Sequence, residues 1–321
     1  MEEFVADVVD THQGPPSRDD HDMDRAVDDL IAHTRRRVKD LVAAGDGRPA
    51  LMLSGGIDSI FVASIAADTG VDPRCVTVTY GEQPESRQAR QATAALGLNL
   101  VHSQLDLPTL AVSASVVSQS LSSSEPWEVA AGVIVCESLR AIRGLDTKGT
   151  VLTGTGADVA LAGGLLPVDP FDAVHSQLVT DRIWSDVQTK WTKSRPTPNF
   201  HELLVRAAEA ARLSKTFQTV EFWDLSKRWS TKVLYVRDAD GQIHDKAVLR
   251  LAARKIGVPD ELVWAPKDPM QTSSGVFAGL ADVCRALLAQ ESHAEHYTKL
   301  ATEPVDVTLS RAALTLLRAA L

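Results

Sequence analysis

The sequence has few cysteines, and they do not form pairs along the chain. The three cysteines, Cys75, Cys136 and Cys284, are far apart and odd in number. This spacing excludes a disulfide framework and a Cys-x-x-Cys metal or redox pair. Reduced thiols are typical of the cytosol, so we expect a cytoplasmic protein.

The sequence also lacks a long apolar run and an excess of positive charge. No stretch of about 18 apolar residues is present, so no membrane-spanning helix is predicted. The acidic N-terminus has neither the basic nor the apolar region of a signal peptide. The net charge is −9, and a nucleic-acid partner is not expected because binding phosphates needs a basic surface.

What the chain does contain is the composition of a globular protein, with 44% hydrophobic and 23% charged residues. Residues 1–22 include Gly14-Pro15-Pro16 among mixed charges and are predicted to form a flexible arm. Residues 23–321 are predicted to form one domain. It opens with a helix predicted over residues 24–44, where apolar side chains recur at spacings of three and four.

Short apolar runs then alternate with helical segments. The runs at 49–53, 75–80, 99–104 and 150–153 are typical of buried parallel strands. Alternating strands and helices indicate an α/β fold with right-handed crossovers. We therefore expect a parallel sheet of about five strands between helices, followed by a helical C-terminal part.

The first predicted strand ends in a glycine-rich turn, residues 54–59, which reads Ser-Gly-Gly-Ile-Asp-Ser. Its glycines let the backbone approach a ligand closely, and the N–H groups of the following helix favour an anion. The carboxylate of Asp58 would repel a phosphate, so we interpret it as a ligand of a divalent cation. The alternative is a strand-turn-helix corner with a capping serine. The candidate phosphate-binding residues are Ser54, Gly55, Gly56 and Ser59.

This turn resembles the signature of the PP-loop ATP pyrophosphatase family. In that family the loop binds the pyrophosphate that leaves when the α-phosphate of ATP is attacked. The resemblance implies the adenine nucleotide α-hydrolase-like fold, with ATP and Mg²⁺ as cofactors. It does not identify the substrate, because asparagine synthetase, GMP synthetase and tRNA sulfurtransferases share the loop.

A second glycine-rich turn, residues 154–158, is followed by a glycine pair at 163–164. It resembles the second signature of asparagine synthetase and β-lactam synthetase, which makes Asp158 the second metal ligand. The glutamate that follows this aspartate in the family is Val159 here. The alternative is a strand-to-helix turn with a capping aspartate. The candidate nucleotide-binding glycines of this turn are Gly154 and Gly156.

A third segment, residues 246–275, resembles the C-terminal block of asparagine synthetases. In that family a lysine of this segment reaches the reacting centre, and Lys267 matches it. A fixed ammonium group there would stabilise the charge that grows on the α-phosphate. The arginine usually found two positions earlier is Ala265. Lys246 and Arg250, four residues apart on one helix face, are interpreted as structural or surface residues.

Four further residues are carried over from the resemblance. Val78 would border the adenine. Glu125 or Glu128, upstream of the second turn, would place and deprotonate the nucleophile, although acids at a helix N-terminus also act as caps. Cys136 would carry a persulfide if the protein were one of the sulfur-transferring members. The alternative for Cys136 is a small buried apolar residue.

The resemblance covers about residues 24–290 and implies an AMP-forming synthetase that adenylates a small molecule and transfers nitrogen to it. Glu2 follows Met1, where glutaminase-containing relatives have a nucleophilic cysteine, so we expect a stand-alone synthetase domain. Its nucleophile would come from free ammonia, a separate glutaminase or sulfur or nitrogen donor protein, or an amine substrate. A sulfurtransferase, a degenerate nucleotide-binding regulatory subunit and a homodimer stay open.

Overall fold

The computed structural model of the protein describes residues 14–191, 204, 211–266, 268–291 and 300–319. Its centre is a sheet of parallel strands, which confirms the predicted α/β fold. The strands are β1 (Ala50–Met52), β2 (Arg74–Tyr80), β3 (Asn99–Leu105) and β4 (Val151–Leu152). A separate antiparallel pair consists of β5 (Val236–Arg237) and β6 (Ile243–His244).

The strands of the main sheet lie in the order β3-β2-β1-β4. Leu51 of β1 is level with Cys75 of β2 on one side and with Leu152 of β4 on the other. The chain therefore moves outward from β1 to β3 and then returns to the opposite side of β1. In open parallel sheets, ligands bind at the carboxyl ends of the strands where the strand order reverses. Here that point lies between β1 and β4.

The prediction of about five strands is wrong, because the sheet described has four. The segment around Leu213 lies beside β4, at the edge of the sheet. It makes one parallel bridge to the sheet, between Val151 and Leu213. Ser214 donates both its backbone N–H and its hydroxyl to the carbonyl oxygen of Val151. The hydroxyl of Thr216 donates to the carbonyl oxygen of Thr153 at 2.5 Å. These hydroxyl groups bond strand carbonyls that a regular ladder would use.

Helices cover both faces of the sheet, and each face has its own apolar core. Neighbouring strand residues point to opposite faces, so Leu51 and Leu152 enter the first core while Ala50 and Val151 enter the second. The helix predicted over residues 24–44 is observed as the first helix. The helices are α1 (Met23–Ala43), α2 (Ile57–Asp68), α3 (Pro84–Leu96), α4 (Leu107–Leu121), α5 (Pro126–Arg143), α6 (Ala157–Ala160), α7 (Ala173–Asp186), α8 (Val220–Ser226), α9 (Thr231–Leu234), α10 (Ala247–Lys255), α11 (Asp260–Val263), α12 (Met270–Ser273), α13 (Val276–Glu291) and α14 (Val305–Ala319), with a π-helix at Val187–Trp191 and a 3₁₀-helix at Leu300–Thr302.

The two cores are built from different helices. α1, α2 and α10 contribute to the first core, and α4, α5 and α13 contribute to the second. In the part of the chain described, none of these helices has the length and apolar character that crossing a membrane requires.

The end of the predicted N-terminal arm is attached to the domain, while residues 1–13 lie outside the described part. The guanidinium group of Arg18 donates to the carbonyl oxygen of Trp229 at 3.0 Å and lies over the ring of Trp223. Asp20 is buried and pairs with Arg25 at 2.6 Å. Residues 18–22 therefore pack on the segment that contains α8 and α9.

Candidate active site

The first glycine-rich turn lies between β1 and α2, at the point where the strand order reverses. Gly55 has a φ of +67°, and a Cβ atom there would lie 2.5 Å from the carbonyl oxygen of Glu85. Gly56 is the N-cap of α2, and no side chain caps this helix within the described residues. The first N–H groups of a helix have no partner within it. They are therefore available to an anion at this turn.

The two serines of the turn differ in their contacts. The hydroxyl of Ser59 accepts from the backbone N–H of Ser54 at 3.1 Å and donates to the carbonyl oxygen of Gly56 at 3.0 Å. Ser59 therefore closes the turn. The hydroxyl of Ser54 lies 3.2 Å from that of Ser59 and is less buried, which makes Ser54 the serine better placed to reach a ligand.

The second glycine-rich turn packs directly against the first. A Cβ atom at Gly154 would lie 2.8 Å from the backbone N atom of Ser59 and 2.9 Å from the Cβ of Asp58. Gly156 has a φ of +102°, and its Cβ would lie 2.6 Å from the backbone N atom of Gln218. The absence of a side chain at Gly154 lets the two turns contact each other, and its absence at Gly156 lets the second turn contact the segment at Phe217 and Gln218.

Lys246 joins the aspartates of the two turns. Its ammonium Nζ lies 2.6 Å from both carboxylate oxygens of Asp58 and 2.5 Å from Oδ1 of Asp158. The side chain of Lys246 is 0% exposed, and its φ is +52°. The sequence assigned Lys246 to a structural or surface role on a helix face. The structure instead places it immediately before α10 and between the two candidate metal ligands.

Asp245 and Arg250 connect this centre to the C-terminal block. The carboxylate of Asp245 accepts from the backbone N–H of Gly164 at 2.6 Å and from the guanidinium of Arg250 at 3.1 Å. Arg250 also donates to the carbonyl oxygen of Val263. Both side chains are buried, so of the structural and surface roles predicted for Arg250, its contacts fit the structural one. Lys267 lies outside the described residues, and its role stays a prediction.

The paired aspartates suit a divalent cation that also binds phosphate. The ammonium of Lys246 is a cation held between their carboxylates, so this position accepts positive charge. Mg²⁺ is commonly bound by one or two carboxylates together with substrate phosphates. No group of three or more His, Cys, Asp or Glu residues that could hold a metal is found among the described residues. Asp58 and Asp158 therefore fit Mg²⁺ that arrives with a nucleotide.

The carried-over residues Val78, Glu125 and Glu128 have contacts typical of structural roles. Val78 is buried in β2 and belongs to the second core. Glu125 is the N-cap of α5 and accepts from the N–H of Trp127 at 3.4 Å. Glu128 is exposed and accepts from the hydroxyl of Ser123 at 2.8 Å. Their roles toward adenine and nucleophile stay predictions.

Cys136 lies in α5, on the side of the sheet that holds the second core. Its side chain is half-buried and packs against that core. Its Sγ lies 4.0 Å from the carbonyl oxygen of Leu204. The persulfide role of Cys136 also stays a prediction.

A buried carboxylic acid that the sequence did not indicate lies behind the first turn. Burial raises the pKa of Glu85 to about 8, and the hydroxyl of Ser273 donates to its Oε2. Glu85 belongs to the first turn of α3, and its carbonyl oxygen faces Gly55. This side chain therefore links α12 of the C-terminal block to the helix that backs the phosphate turn.

A family model described as asparagine synthase matches residues 33–245, which include both glycine-rich turns. No curated protein matches the chain significantly. Among solved structures, NMN synthetase from Francisella tularensis is similar over 78% of this chain and 99% of its own, with 13% sequence identity and a TM-score of 0.34.

Proposed function

Because the chain belongs to the asparagine synthase family of ATP-dependent synthetases, we propose that it is an AMP-forming enzyme that makes a C–N bond. It adenylates a carboxylate or carbonyl oxygen of a small molecule, and a nitrogen nucleophile then replaces AMP. The observation that carries this proposal is the meeting of Asp58, Asp158 and Lys246 at the switch point between β1 and β4.

The phosphates of ATP bind at the first turn. The N–H groups at the start of α2 and the hydroxyl of Ser54 donate to them. Asp58 and Asp158 would hold Mg²⁺, and when bound the ion would neutralise negative charge on the phosphates. The second turn packs on the first through Gly154 and keeps the two aspartates at one place.

The reaction then takes place in two displacements. The substrate oxygen attacks the α-phosphorus, the bond between the α-phosphorus and its bridging oxygen breaks, and pyrophosphate leaves. The nitrogen nucleophile attacks the adenylated carbon, loses a proton, and AMP leaves with the electron pair of the broken C–O bond. Lys267 stabilises the negative charge of these steps, and Glu125 or Glu128 accepts the proton. Holding both substrates together supplies much of the acceleration.

The nitrogen comes from ammonia, a separate glutaminase or an amine substrate. In the alternative, a sulfurtransferase, the Cys136 thiolate would take the outer sulfur of a persulfide on a separate donor protein, whose thiolate leaves, and would carry that sulfur in place of the nitrogen nucleophile. The Cys136→Ser variant separates these functions, because an amide-forming enzyme keeps its activity and a persulfide-dependent sulfurtransferase loses it.

The test is a pyrophosphate-release screen with ATP and Mg²⁺ against amino acids, small carboxylates and purine compounds, each with ammonia and with sulfide. We expect AMP and pyrophosphate to appear together with one acceptor. Asp58→Asn and Asp158→Asn should each lower the rate by about 100-fold or more. Asp106→Asn is the matched control, because Asp106 is an exposed N-cap of α4 whose capping role asparagine retains.

The outcomes separate the proposal from its rivals. Formation of ADP and phosphate contradicts attack at the α-phosphate. Full activity of Asp58→Asn contradicts the metal assignment. ATP binding without turnover of any acceptor favours the regulatory subunit instead.

A further inference from the structure

The ammonium group of Lys246 occupies the place of a cation in this site. It contacts three carboxylate oxygens, two from Asp58 and one from Asp158. Two carboxylates brought this close repel each other unless a positive charge lies between them. The chain itself supplies one such charge, so the negative charge of the aspartate pair is partly balanced before any ligand arrives.

The position of Lys246 is fixed by its surroundings. The residue adopts a φ of +52°, a left-handed conformation that is unfavourable for a side chain with a Cβ and is retained where the structure enforces it. Its side chain is fully buried. A Cβ atom at Gly163 would overlap both its Cε and Oδ1 of Asp158. The missing side chain of Gly163 is therefore what leaves room for this ion pair.

A divalent cation alone must compete with this ammonium group. Binding between the aspartates would displace a buried charge and leave it without its carboxylate partners, which costs free energy. The two carboxylates differ in access, since the side chain of Asp158 is 54% exposed and that of Asp58 is 13% exposed. An entering cation therefore meets Asp158 first and must displace Lys246 to reach Asp58.

A nucleotide changes this balance. Phosphate oxygens at the first turn offer the displaced ammonium group charged acceptors close to its original position. The displacement then exchanges one set of ionic partners for another. The same ion pair that excludes a lone cation therefore admits a cation that arrives with phosphate.

We propose that Lys246 is an internal counter-cation that keeps Mg²⁺ out of the aspartate pair until ATP binds, so that metal and nucleotide enter together. This inference rests on the proposed function, because it assumes that Asp58 and Asp158 hold the metal of ATP. It adds an order of binding and a residue that enforces it.

The experiment measures metal binding without turnover. Mn²⁺ is titrated into the full chain with and without α,β-methylene-ATP, and free Mn²⁺ is followed by electron paramagnetic resonance. The Mn²⁺ that the analogue binds in protein-free solution is measured separately and subtracted. In the wild type we expect Mn²⁺ alone to bind about tenfold or more weakly than Mn²⁺ with the analogue. Lys246→Met should strengthen the binding of Mn²⁺ alone by about tenfold or more.

Lys255→Met is the matched control. It removes a lysine that also pairs with an aspartate, Asp28, but both side chains are exposed on the surface. Its Mn²⁺ binding should equal that of the wild type. Circular dichroism tests whether each variant is folded. If Lys246→Met does not fold, the comparison of the wild type with and without the analogue decides.

The outcomes also distinguish this inference from the proposed function. Wild-type protein that binds Mn²⁺ equally well with and without the analogue overturns the inference and leaves the proposed function intact. A folded Lys246→Met that binds Mn²⁺ no more tightly than the wild type also overturns it. If the wild type binds neither the analogue nor Mn²⁺ in any combination, the proposed function fails and the inference fails with it.

Discussion

Replacing Gly163 by alanine tests the close packing of Lys246 against Asp158. The new methyl group would overlap Oδ1 of Asp158 and Cε of Lys246, and it would lie 3.0 Å from the Cα of Asp158. Because Lys246 is fully buried, relief requires shifting the ion pair or the backbone. Overpacking of this kind costs about 1–3 kcal/mol. We expect Gly163→Ala to lower the free energy of unfolding by that amount in urea denaturation and to weaken the binding of α,β-methylene-ATP.

Gly144→Ala is the matched control for this substitution. Gly144 is the C-cap of α5 with a right-handed φ of −76°, and the nearest atom to an added Cβ, the carbonyl oxygen of Ala141, is at 3.4 Å. An alanine there is expected to be neutral or to stabilise the protein by about 0.4–1 kcal/mol. If Gly163→Ala matched this control in stability and in analogue binding, the contact between Lys246 and Asp158 would not be as described.

Two further predictions concern buried ionisable groups. Glu85 has a pKa raised from 4.5 to about 8, so the stability that depends on its neutral form is full below pH 4.5 and is lost as the pH rises to about 8. The free energy of unfolding of Glu85→Gln, relative to that of the wild type, should therefore rise by about 1.4 kcal/mol per pH unit within that window. Above about pH 8 the difference should stay constant, as measured by urea denaturation across pH. Arg250→Met leaves the buried carboxylate of Asp245 without its ion-pair partner and should cost about 3–5 kcal/mol of unfolding free energy in the same assay. Arg254→Met, which removes an exposed pair with Asp260, should cost at most about 1 kcal/mol, and equal effects of the two arginine variants would contradict the burial argument.

The positions of the two glycine-rich turns could be predicted because the sequence signals for them are local. Residues 54–59 combine glycines, a following helix and an aspartate that makes sense only with a cation, and each of these can be read from neighbouring residues. The strand-helix alternation also placed both turns at the same edge of the sheet, since parallel strands end on one side. The contact of Gly154 with Asp58 is what that reasoning requires.

Lys246 could not be predicted from the same reasoning. Its spacing from Arg250 shows that the two share a helix face but does not show whether that face is buried. The left-handed backbone conformation that sets Lys246 apart from the helix could not be foreseen from the sequence. Such conformations are typical of glycine, and a lysine gives no sign of one. The available signal was its place immediately before a helix in a block that resembles a catalytic segment.

The prediction of about five strands was wrong for a comparable reason. The hydroxyl groups of Ser214 and Thr216 donate to the carbonyl oxygens of Val151 and Thr153, and the backbone N–H of Ser214 also donates to Val151. Which of these bonds form depends on which segment of the chain lies alongside. The partner strand β4 is distant in sequence, so the competition between side-chain and backbone hydrogen bonds cannot be judged from the segment alone.

The central claim is attack of a substrate oxygen on the α-phosphate of ATP, and oxygen transfer tests it most directly. With the acceptor found in the screen labelled with ¹⁸O at its reacting oxygen, the products of complete turnover are analysed by mass spectrometry. The account predicts that AMP carries the ¹⁸O label and that pyrophosphate carries none. Label in inorganic phosphate together with ADP, or unlabelled AMP, would contradict it.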